Sequence, residues 1–326
     1  MIISRAPLRM SFVGGGSDLP SFYREHGGAV VSTTVDKYVY VTINKKFDDS
    51  IRISYSKTEE VDTVNEIQHP IVREAMRLLK IPGGLEITSV ADIPAKGTGL
   101  GSSSTFAVGL LHALYAQMGK FVSAETLARQ ACELEIDVLK EPIGKQDQYA
   151  AAYGGLSFIQ FNADDSVFVH PIICARETLD RFQRNTICFY TGITRSASAI
   201  LKAQDEAVRG SRSKQDVLRQ MVRLTYDFKH ELEHNNLDTV GEILHANWVL
   251  KKSLTAGVSS PAIDEWYAKA CQAGATGGKL LGAGSGGFLM FYAPEEAHPA
   301  IAQALGDLRR VDFKFEPRGS AIIFVH

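Results

Sequence analysis

The chain has 326 residues, of which 45% are hydrophobic and 22% charged, and its formal net charge is −2. This balance is typical of a globular protein with a sizeable core, and the length suggests two domains or one large one. The near-neutral charge excludes a global basic field for nucleic acid or an anionic membrane. No apolar run approaches the roughly 20 residues needed to span a bilayer.

The first residues and the cysteines both bear on where the protein works. Residues 1–7 are predicted to form a strand that enters a turn at Pro7, and they lack the apolar core and cleavage site of a signal peptide. The four cysteines are widely spaced and form no Cys-x-x-Cys pair. We therefore expect buried free thiols in a reducing cytoplasm, no transition-metal site, and no membrane or nucleic-acid partner, while a homodimer stays open.

Apolar periodicity divides the first half of the chain into strands and helices. The predicted strands are rich in β-branched and aromatic residues, and they cover 28–46, 51–55, 84–90, 155–161 and 166–172. The predicted helices cover about 70–80, the apolar stretch after residue 104, and about 123–140, where Ser123 is a suitable N-cap.

The second half is more helical, with Gly, Ser and Pro breakers between 256 and 261. Its predicted helices cover 213–234, 237–252 and 260–273. Its predicted strands cover 185–191, 278–282, 286–292, 310–316 and 321–325. We place a domain boundary between 165 and 185, which gives domains of residues 1–175 and 176–326.

A glycine- and serine-rich segment, residues 96–104, lies between a predicted strand and a long apolar helix. Glycines let the backbone approach a ligand closely, and the N–H groups at a helix N-terminus attract anions. The segment lacks the Gly-Lys-Ser/Thr ending of a Walker loop and the spacing of a dinucleotide fingerprint. We predict a phosphate-binding loop of another class; the alternative is a flexible loop with a serine N-cap. The residues assigned to ATP are Lys96, Gly97, Gly99, Leu100, Gly101, Ser102, Ser103 and Ser104.

A second glycine-rich string covers residues 274–287 and runs into a predicted strand. Alone it is equally compatible with a tight hairpin. Together with the first loop it predicts a backbone surface that lies against the triphosphate or the substrate, and Gly284 and Ser285 are assigned to substrate binding.

Three motifs follow one another along the chain. They are Arg-Ala-Pro-Leu-Arg at 5–9 with Gly-Gly-Gly-Ser-Asp at 14–18, Gly-Leu-Gly-Ser-Ser at 99–103, and the glycine string at 274–287. This combination resembles the GHMP kinase family, which includes galactokinase, homoserine kinase and mevalonate kinase, and the resemblance covers nearly the whole chain. It implies an ATP-dependent kinase with an α+β fold of two domains and an active site in the cleft between them.

Carboxylates beyond the glycine loop are the candidates for catalysis and metal binding. Asp147 follows a Gly-Lys-Gln segment, and the alternative is a solvated carboxylate in a polar turn. Because phosphoryl transfer depends on positioning and charge, one carboxylate that orients or deprotonates the acceptor hydroxyl suffices. The resemblance to galactokinase implies that Asp147 is this base, that Glu135, twelve residues earlier, binds Mg²⁺, and that Ser103 is the second magnesium ligand. Glu133 and Asp137 lie beside Glu135 and remain candidates.

The N-terminal motif is where the sequence departs from galactokinase. Arg9 and Asp18 match the Arg and the sugar-binding Asp of that enzyme, whereas Gly15 and Gly16 replace its Glu-His pair. The replacement argues against galactose and leaves space for a larger sugar or for backbone contacts to it. The residues assigned to the substrate are Arg9, Gly15, Gly16, Asp18, Arg195, Gly284 and Ser285.

Within the family, the motifs at 12–20, 144–149, 190–195 and 248–254 resemble the D-glycero-D-manno-heptose 7-phosphate kinases. The resemblance implies that ATP, with Mg²⁺, phosphorylates the anomeric hydroxyl to give a heptose 1,7-bisphosphate for nucleotide-activated heptose and surface polysaccharide. A sugar that already carries a phosphate needs a second anion site, and Arg is suited to phosphate by its bidentate fork. The candidates, which the sequence does not rank, are Arg5, Arg9, Lys37, Arg195, Lys251 and Lys252.

Three alternatives stay open. The same chemistry would serve another sugar, such as fucose, a hexuronic acid or a galactose-like sugar. One branch of the superfamily couples phosphorylation to decarboxylation. Some galactokinase relatives are sugar and ATP sensors without turnover, although the presence of both Glu135 and Asp147 argues against that reading.

Overall fold

The computed structural model of the protein describes residues 1–94, 97–194 and 197–326, and within them the strands form two sheets. The strands are β1 (Ile2–Val13), β2 (Gly28–Lys45), β3 (Ile51–Ser54), β4 (Thr58–Val61), β5 (Leu85–Ala91), β6 (Ser157–Phe161), β7 (Val167–Pro171), β8 (Thr186–Tyr190), β9 (Gly277–Leu280), β10 (Phe288–Tyr292), β11 (Arg309–Val311), β12 (Phe315–Glu316) and β13 (Ala321–Val325). The helices are α1 (Pro20–His26), α2 (Pro70–Leu78), α3 (Ser102–Gln117), α4 (Ala124–Cys132), α5 (Gln146–Tyr153), α6 (Arg176–Arg184), α7 (Ala197–Arg209), α8 (Arg212–Glu233), α9 (Val240–Leu254), α10 (Pro261–Gln272) and α11 (His298–Ala304). A π-helical turn, Glu133–Val138, extends α4.

The larger sheet is organised around β2, which pairs with β1 along one side. On its other side β2 pairs in succession with β6, β12 and β5, while β13 adds to the outer side of β1. The last two strands of the chain therefore join the sheet that the first half builds. A boundary at residue 175 assigns β1–β7 to the larger sheet and β8–β11 to the smaller one, but β12 and β13 lie after the boundary and belong to the larger sheet. The division into two domains stays a prediction.

The expectation of a turn at Pro7 is wrong, because β1 continues through Pro7 to Val13. The pairing of β1 with β2 shifts register between Pro7 and Leu8, and the pairing with β13 ends at Arg5. Proline has no N–H to donate, so strands accommodate it at such bulges and free edges. As a result, Arg9 lies within one continuous strand rather than after a turn.

The smaller sheet contains β11, β8, β10 and β9 in antiparallel order. α9 and α10 pack on it, and Trp248, Tyr267 and Phe291 belong to its core. α8 packs against both β1 and β2 of the larger sheet and against α9, so it connects the two cores. No helix in the described parts of the chain is long and apolar enough to cross a membrane.

Most of the predicted long elements are confirmed, including the N-cap at Ser123, whose Oγ accepts from the backbone N–H of Thr126 at 3.2 Å. The four cysteines are free thiols, as expected, although Cys174 and Cys271 are only partly buried. The predicted strand at 310–316 is two short strands, and the sequence did not predict β4 or five helices: α1, α5, α6, α7 and α11. α5 illustrates the reason, because its residues 148–152 are all buried and no polar face marks the helix.

Candidate active site

The glycine loop, residues 97–104, ends in the first turn of α3. Gly99 has a φ of +77°, and a Cβ on it would lie 2.2 Å from the carbonyl oxygen of Leu281. Only glycine combines this conformation with so close an approach. Leu281 follows β9, so the second glycine string forms a β9–β10 hairpin whose connecting loop packs on the backbone of the first. Contact of that hairpin with the triphosphate stays a prediction.

The first turn of α3 offers unpaired hydrogen-bond donors. Ser102, Ser103 and Ser104 occupy it, and no side chain that the structure describes caps its backbone N–H groups. The Oγ of Ser102 is buried and has no hydrogen-bond partner among the described residues. Free N–H groups and a free hydroxyl at the positive end of a 16-residue helix fit an anion such as a nucleotide phosphate. Lys96, the other predicted ATP residue in this segment, lies outside the described residues.

Arg9 connects the glycine loop to the predicted catalytic carboxylate. Its backbone N–H donates to the carbonyl of Leu100 at 3.1 Å, and its Nη1 donates to the carbonyl of Gly99 at 2.6 Å. Its Nε and Nη2 donate to the two carboxylate oxygens of Asp147, both at 2.8 Å. Bidentate pairing fixes the plane of a carboxylate as well as its position. Strand β1 therefore holds both the loop and the carboxylate.

Asp147 lies in the first turn of α5, and its side chain is 22% exposed. A Cβ on Gly101 would lie 3.0 Å from Asp147 Oδ2, so the carboxylate adjoins the end of the glycine loop. Its partial exposure leaves it within reach of a bound hydroxyl. The sequence singled out Asp147, but it assigned Arg9 to the substrate and not to this carboxylate.

Glu135 lies in the π-helical turn and is 1% exposed. Its Oε1 accepts from Ser103 Oγ at 2.9 Å, and its Oε2 accepts from Gln148 Nε2 at 2.7 Å. Burial raises the pKa of Glu135 to about 7, against the lowering effect of these hydrogen bonds and one from Ser104. π turns inside α-helices are frequent at functional sites, and this one replaces the continuous helix predicted over 123–140.

The oxygen ligands beside α3 suit Mg²⁺, which commonly takes one or two protein oxygens and completes its shell with phosphates and water. Among the described residues, only neutral groups donate hydrogen bonds to Glu135, so a cation would compensate its buried charge. Glu133 and Asp137, on the same turn, are more exposed. No group of three or more His, Cys, Asp or Glu side chains able to hold a metal occurs in the part of the chain that the structure describes. Ser103 and Glu135 therefore fit a cation shared with a bound phosphate.

The Gly14–Asp18 turn connects β1 to α1, and Asp18 joins it to α5. Asp18 Oδ1 accepts from the N–H of Gly16 at 2.9 Å, and Oδ2 accepts from the N–H of Gln146 at 3.2 Å. Asp18 is 2% exposed, and its pKa is raised by burial and by the neighbouring charge of Asp147. The carboxylate thus holds the turn beside the catalytic candidate, and its direct contact with a sugar stays a prediction.

Four side chains that the sequence did not assign surround this turn. Each has a buried polar atom that lacks a partner in the described chain, and these atoms are Ser11 Oγ, Gln146 Oε1, Gln204 Nε2 and Asn247 Nδ2. A Cβ on Gly15 would lie 3.7 Å from Ser11 Oγ, and one on Gly16 would lie 2.2 Å from Gln204 Nε2. Because buried polar atoms normally have partners, these indicate a polar ligand. They belong to different elements, so no local motif announces them.

Two buried lysines, Lys251 and Lys279, lie near the same turn. The Nζ of Lys251 donates to the carbonyl of Gly15 at 3.0 Å and to Gln204 Oε1 at 2.8 Å. Lys279 is 4% exposed, and its side chain makes neither a hydrogen bond nor an ion pair with any residue that the structure describes. Burial lowers the pKa of Lys251 to about 8. The pKa of Lys279 is lowered to about 7 by burial and by the positive charges of Lys251 and Arg9. Lys251 was a candidate from the sequence; Lys279, inside the glycine string, was missed.

Other predicted substrate residues do not meet at this turn. Gly284 and Ser285 pack on the loop after α9, where the N–H of Ser285 donates to the carbonyl of Val258 at 3.1 Å. Arg195 lies outside the described residues. The remaining basic candidates have other partners, namely the Tyr38 ring for Arg5 (4.4 Å), Asp36 for Lys37 (3.3 Å) and Asp264 for Lys252 (2.8 Å).

Two protein-family models match the chain. The model of the GHMP kinases N-terminal domain matches residues 68–155, and that of the GHMP kinases C-terminal domain matches residues 228–308. Together they cover more than half of the sequence. The first match contains the glycine loop, Glu135 and Asp147, and the second contains Lys251 and the hairpin that carries Lys279.

Individual relatives extend the match to the whole chain. The D-glycero-alpha-D-manno-heptose 7-phosphate kinase of Campylobacter jejuni is 29% identical over 98% of this chain and 97% of its own length. The L-fucokinase/L-fucose-1-P guanylyltransferase of Bacteroides fragilis is 27% identical over 90% of this chain but 35% of its own. The crystal structure of a D-glycero-D-manno-heptose 1-phosphate kinase from Bacteroides thetaiotaomicron superposes with a TM-score of 0.82, at 25% identity and full coverage of both chains.

Proposed function

The chain belongs to the GHMP kinase family and is an ATP-dependent sugar kinase, and from this premise we propose that its acceptor is D-glycero-D-manno-heptose 7-phosphate. Phosphorylation of the anomeric hydroxyl would give ADP and the 1,7-bisphosphate. The relatives support a heptose phosphate, although one is named for the 7-phosphate and another for the 1-phosphate.

One observation carries the kinase chemistry. The Arg9 guanidinium donates to the carbonyl of Gly99 at 2.6 Å and to the carboxylate of Asp147 at 2.8 Å. The glycine loop, this guanidinium and the carboxylate therefore form one rigid unit. Asp18 ties the adjoining turn to the same helix as Asp147. A sugar bound at that turn would therefore present a hydroxyl between the carboxylate and the phosphates on the loop.

In the proposed reaction the acceptor oxygen attacks the γ-phosphorus of ATP in line, and the bond from phosphorus to the β,γ-bridging oxygen breaks. Asp147 orients the hydroxyl and takes its proton. Arg9 keeps the carboxylate in place and provides positive charge beside the transferred group, while the N-terminus of α3 holds the phosphates. Ser103 and Glu135 would hold Mg²⁺, which when bound neutralises charge on the phosphate oxygens.

The size of the acceptor is supported by Gly15. Its φ lies outside the left-handed region, and the nearest atoms to a Cβ on it are Ser11 Oγ at 3.7 Å and Gln146 Nε2 at 3.8 Å. The fold would thus tolerate a side chain at this position, and its absence leaves open space lined by polar atoms. Such a space suits a hydroxylated ligand larger than the one a Glu-His pair would leave room for.

A panel of acceptors tests the proposal. The purified protein is given ATP and Mg²⁺ with the heptose 7-phosphate, the heptose 1-phosphate, L-fucose, a hexuronic acid or galactose, and ADP, the phosphorylated product and CO₂ are measured. We expect the 7-phosphate to exceed each other sugar in kcat/KM by about 10²-fold or more. A higher value for any other acceptor, release of CO₂, or binding of both ligands without ADP formation would contradict the proposal.

The role of Asp147 is tested with Asp147→Asn. Because the amide cannot accept the hydroxyl proton, we expect kcat to fall about 10²–10⁴-fold. The amide also leaves one donor of the buried Arg9 unpaired, so the melting temperature should fall, and turnover is compared at a temperature where the variant is folded. Asp137→Asn, on the exposed side of the π-helical turn, serves as the control and should keep normal turnover. Wild-type turnover in folded Asp147→Asn would refute the assignment.

A further inference from the structure

Two lysines are buried beside the Gly14–Asp18 turn, and the phosphoryl transfer described above uses neither. Lys251 and Lys279 are 5% and 4% exposed, and lysine is almost never so buried without a paired anion. They come from α9 and β9, which pack against each other. The ammonium group of Lys251 donates to the carbonyl of Gly15 and to Gln204, whereas the side chain of Lys279 has no hydrogen-bonding or ion-pair partner in the described chain.

The charges around the lysines do not balance. Arg9 is already paired with Asp147, so Asp18 is the carboxylate that acts on both lysines. Asp18 is itself committed to the backbone N–H groups of Gly16 and Gln146. One carboxylate against two ammonium groups leaves a net positive charge in a buried site, which an anionic group of the ligand would neutralise.

Two buried side-chain amides near Lys251 and the Gly14–Asp18 turn have N–H groups that donate to no described acceptor. Gln204 Oε1 accepts from Lys251 at 2.8 Å and Asn247 Oδ1 accepts from the N–H of Gly14 at 3.1 Å, so these bonds orient both amides. The nitrogens left over, Gln204 Nε2 and Asn247 Nδ2, are buried donors without acceptors among the described residues. Unpaired donors beside uncompensated cations are the chemistry of an oxyanion site.

We propose that Lys279, together with Lys251, Gln204 and Asn247, binds the phosphate that the sugar substrate already carries. The inference rests on the proposed function, since the site serves only an acceptor with an anionic group. A phosphate dianion offers several strong acceptor oxygens to these donors. The pKa of Lys279, lowered by burial and by Lys251 and Arg9 to about 7, is consistent with this, because a bound dianion would restore its charge.

The first experiment compares D-glycero-D-manno-heptose 7-phosphate with the same heptose lacking phosphate, in wild type and Lys279→Met. Methionine retains the length and packing of the side chain and removes its charge. We expect KM for the 7-phosphate to rise about 10–100-fold, as for a lost charged hydrogen bond, with kcat/KM for the unphosphorylated heptose within about twofold. The control is Lys252→Met, which removes the neighbouring surface lysine paired with Asp264. An equal fall in kcat for both sugars would assign Lys279 to the transferred phosphoryl group and overturn the inference.

The second experiment tests the anion site without turnover. Inorganic sulfate, which remains a dianion around neutral pH, is added to protein saturated with Mg²⁺ and a non-hydrolysable ATP analogue that occupies the glycine loop. Sulfate should raise the melting temperature of wild type and Lys252→Met more than that of Lys279→Met. An equal rise in all three would overturn the inference. A retained sulfate effect with no turnover of any heptose phosphate would instead refute the proposed acceptor and leave the anion site standing.

The sulfate effect should also depend on pH. The groups that act on Lys279 are Lys251 and Arg9, which lower its pKa, and Asp18, which raises it. Lys279 must be protonated to bind an anion and has a pKa of about 7 in the free protein. The sulfate-induced rise in the melting temperature of wild type should therefore weaken as the pH passes 7. It should weaken further near pH 8, where Lys251 loses its proton. A constant rise across this range would overturn the role given to Lys279.

Discussion

The glycine loop and the Gly14–Asp18 turn meet at Asp147, but they are built in different ways. The glycine loop offers backbone N–H groups and short hydroxyls, and the backbone after β9 supports it through the contact of Gly99 with Leu281. The Gly14–Asp18 turn contributes few groups of its own. Side chains from β1, α5, α7, α9 and β9 surround it instead.

This difference follows from what each surface has to recognise. A polyphosphate presents the same oxygens whatever the acceptor, and backbone N–H groups at a helix end are a sufficient partner for it. An acceptor sugar differs between members of a fold family, and specificity for it requires polar side chains placed individually. If the Gly14–Asp18 turn binds the sugar as proposed, single substitutions around it should change the preferred acceptor and leave the glycine loop intact.

The largest effect that distinguishes the two surfaces is expected on the side of the glycine loop. Glu135→Gln keeps the shape but removes the charge that would hold Mg²⁺. Its amide oxygen can accept from Gln148, while its amide nitrogen donates to the Ser103 hydroxyl. We expect kcat to fall roughly 10²-fold or more and the Mg²⁺ concentration for half-maximal activity to rise, with KM for the sugar little changed. Steady-state kinetics over a Mg²⁺ series measures both quantities.

A stability measurement separates this role from a structural one. The folded pKa of Glu135, about 7, lies above its ordinary value of 4.5, so the folded protein binds the extra proton between these values and loses stability as the pH rises through them. Glu135→Gln, without Mg²⁺ and ATP, should lack this loss. Glu133→Gln, on the same π-helical turn, is the matched control. Equal kinetic losses in both variants, or full turnover in Glu135→Gln, would contradict the metal assignment.

The two surfaces also differ in how far the sequence predicts them. The glycine loop is a run of consecutive residues, so a short stretch of sequence is enough to predict it. Glu135 and Asp147 are twelve residues apart, and the resemblance to the family assigns roles to carboxylates at that spacing. Lys279, Gln204 and Asn247 are ordinary residues within their own segments. They form a candidate site only because β9, α7 and α9 meet at one turn in the fold. No local sequence pattern predicts that these three elements meet.

The fold itself was predictable where elements are long and rich in β-branched residues, continuously apolar or amphipathic, as for β2, α3 and α8 respectively. The sequence failed where tertiary packing replaces the local pattern. Pro7 is tolerated inside β1 for two reasons. The pairing of β1 with β2 shifts register just after Pro7, and the pairing of β1 with β13 has already ended at Arg5, so the other edge of β1 is free of β13 at Pro7. β12 and β13 return to the first sheet, and no pattern in their sequences says which sheet they join.

The smallest expected effect compares two adjacent glycines in the Gly14–Asp18 turn. Gly16 has a φ of +106°, and a Cβ there would lie 3.1 Å from Lys251 Nζ and closer still to Gln204, so Gly16→Ala should destabilise the protein by about 1–3 kcal/mol. Gly15 has an unstrained φ and room for a methyl group, so Gly15→Ala should leave stability unchanged or raise it by about 0.5 kcal/mol. Urea unfolding of both variants measures this difference.

The two variants should also differ in how function and stability are related. The methyl group of Gly15→Ala would enter the space proposed for the sugar, so the KM for the acceptor should rise about tenfold while the KM for ATP stays constant. Gly16→Ala would displace Gln204 and Lys251, which are proposed to bind the substrate phosphate, so its loss of acceptor binding should accompany its loss of stability. If Gly15→Ala keeps the wild-type KM for the acceptor, the space beside Gly15 does not receive the sugar. The Gly14–Asp18 turn would then support Asp147 structurally, and the contrast with the glycine loop would lose its functional meaning.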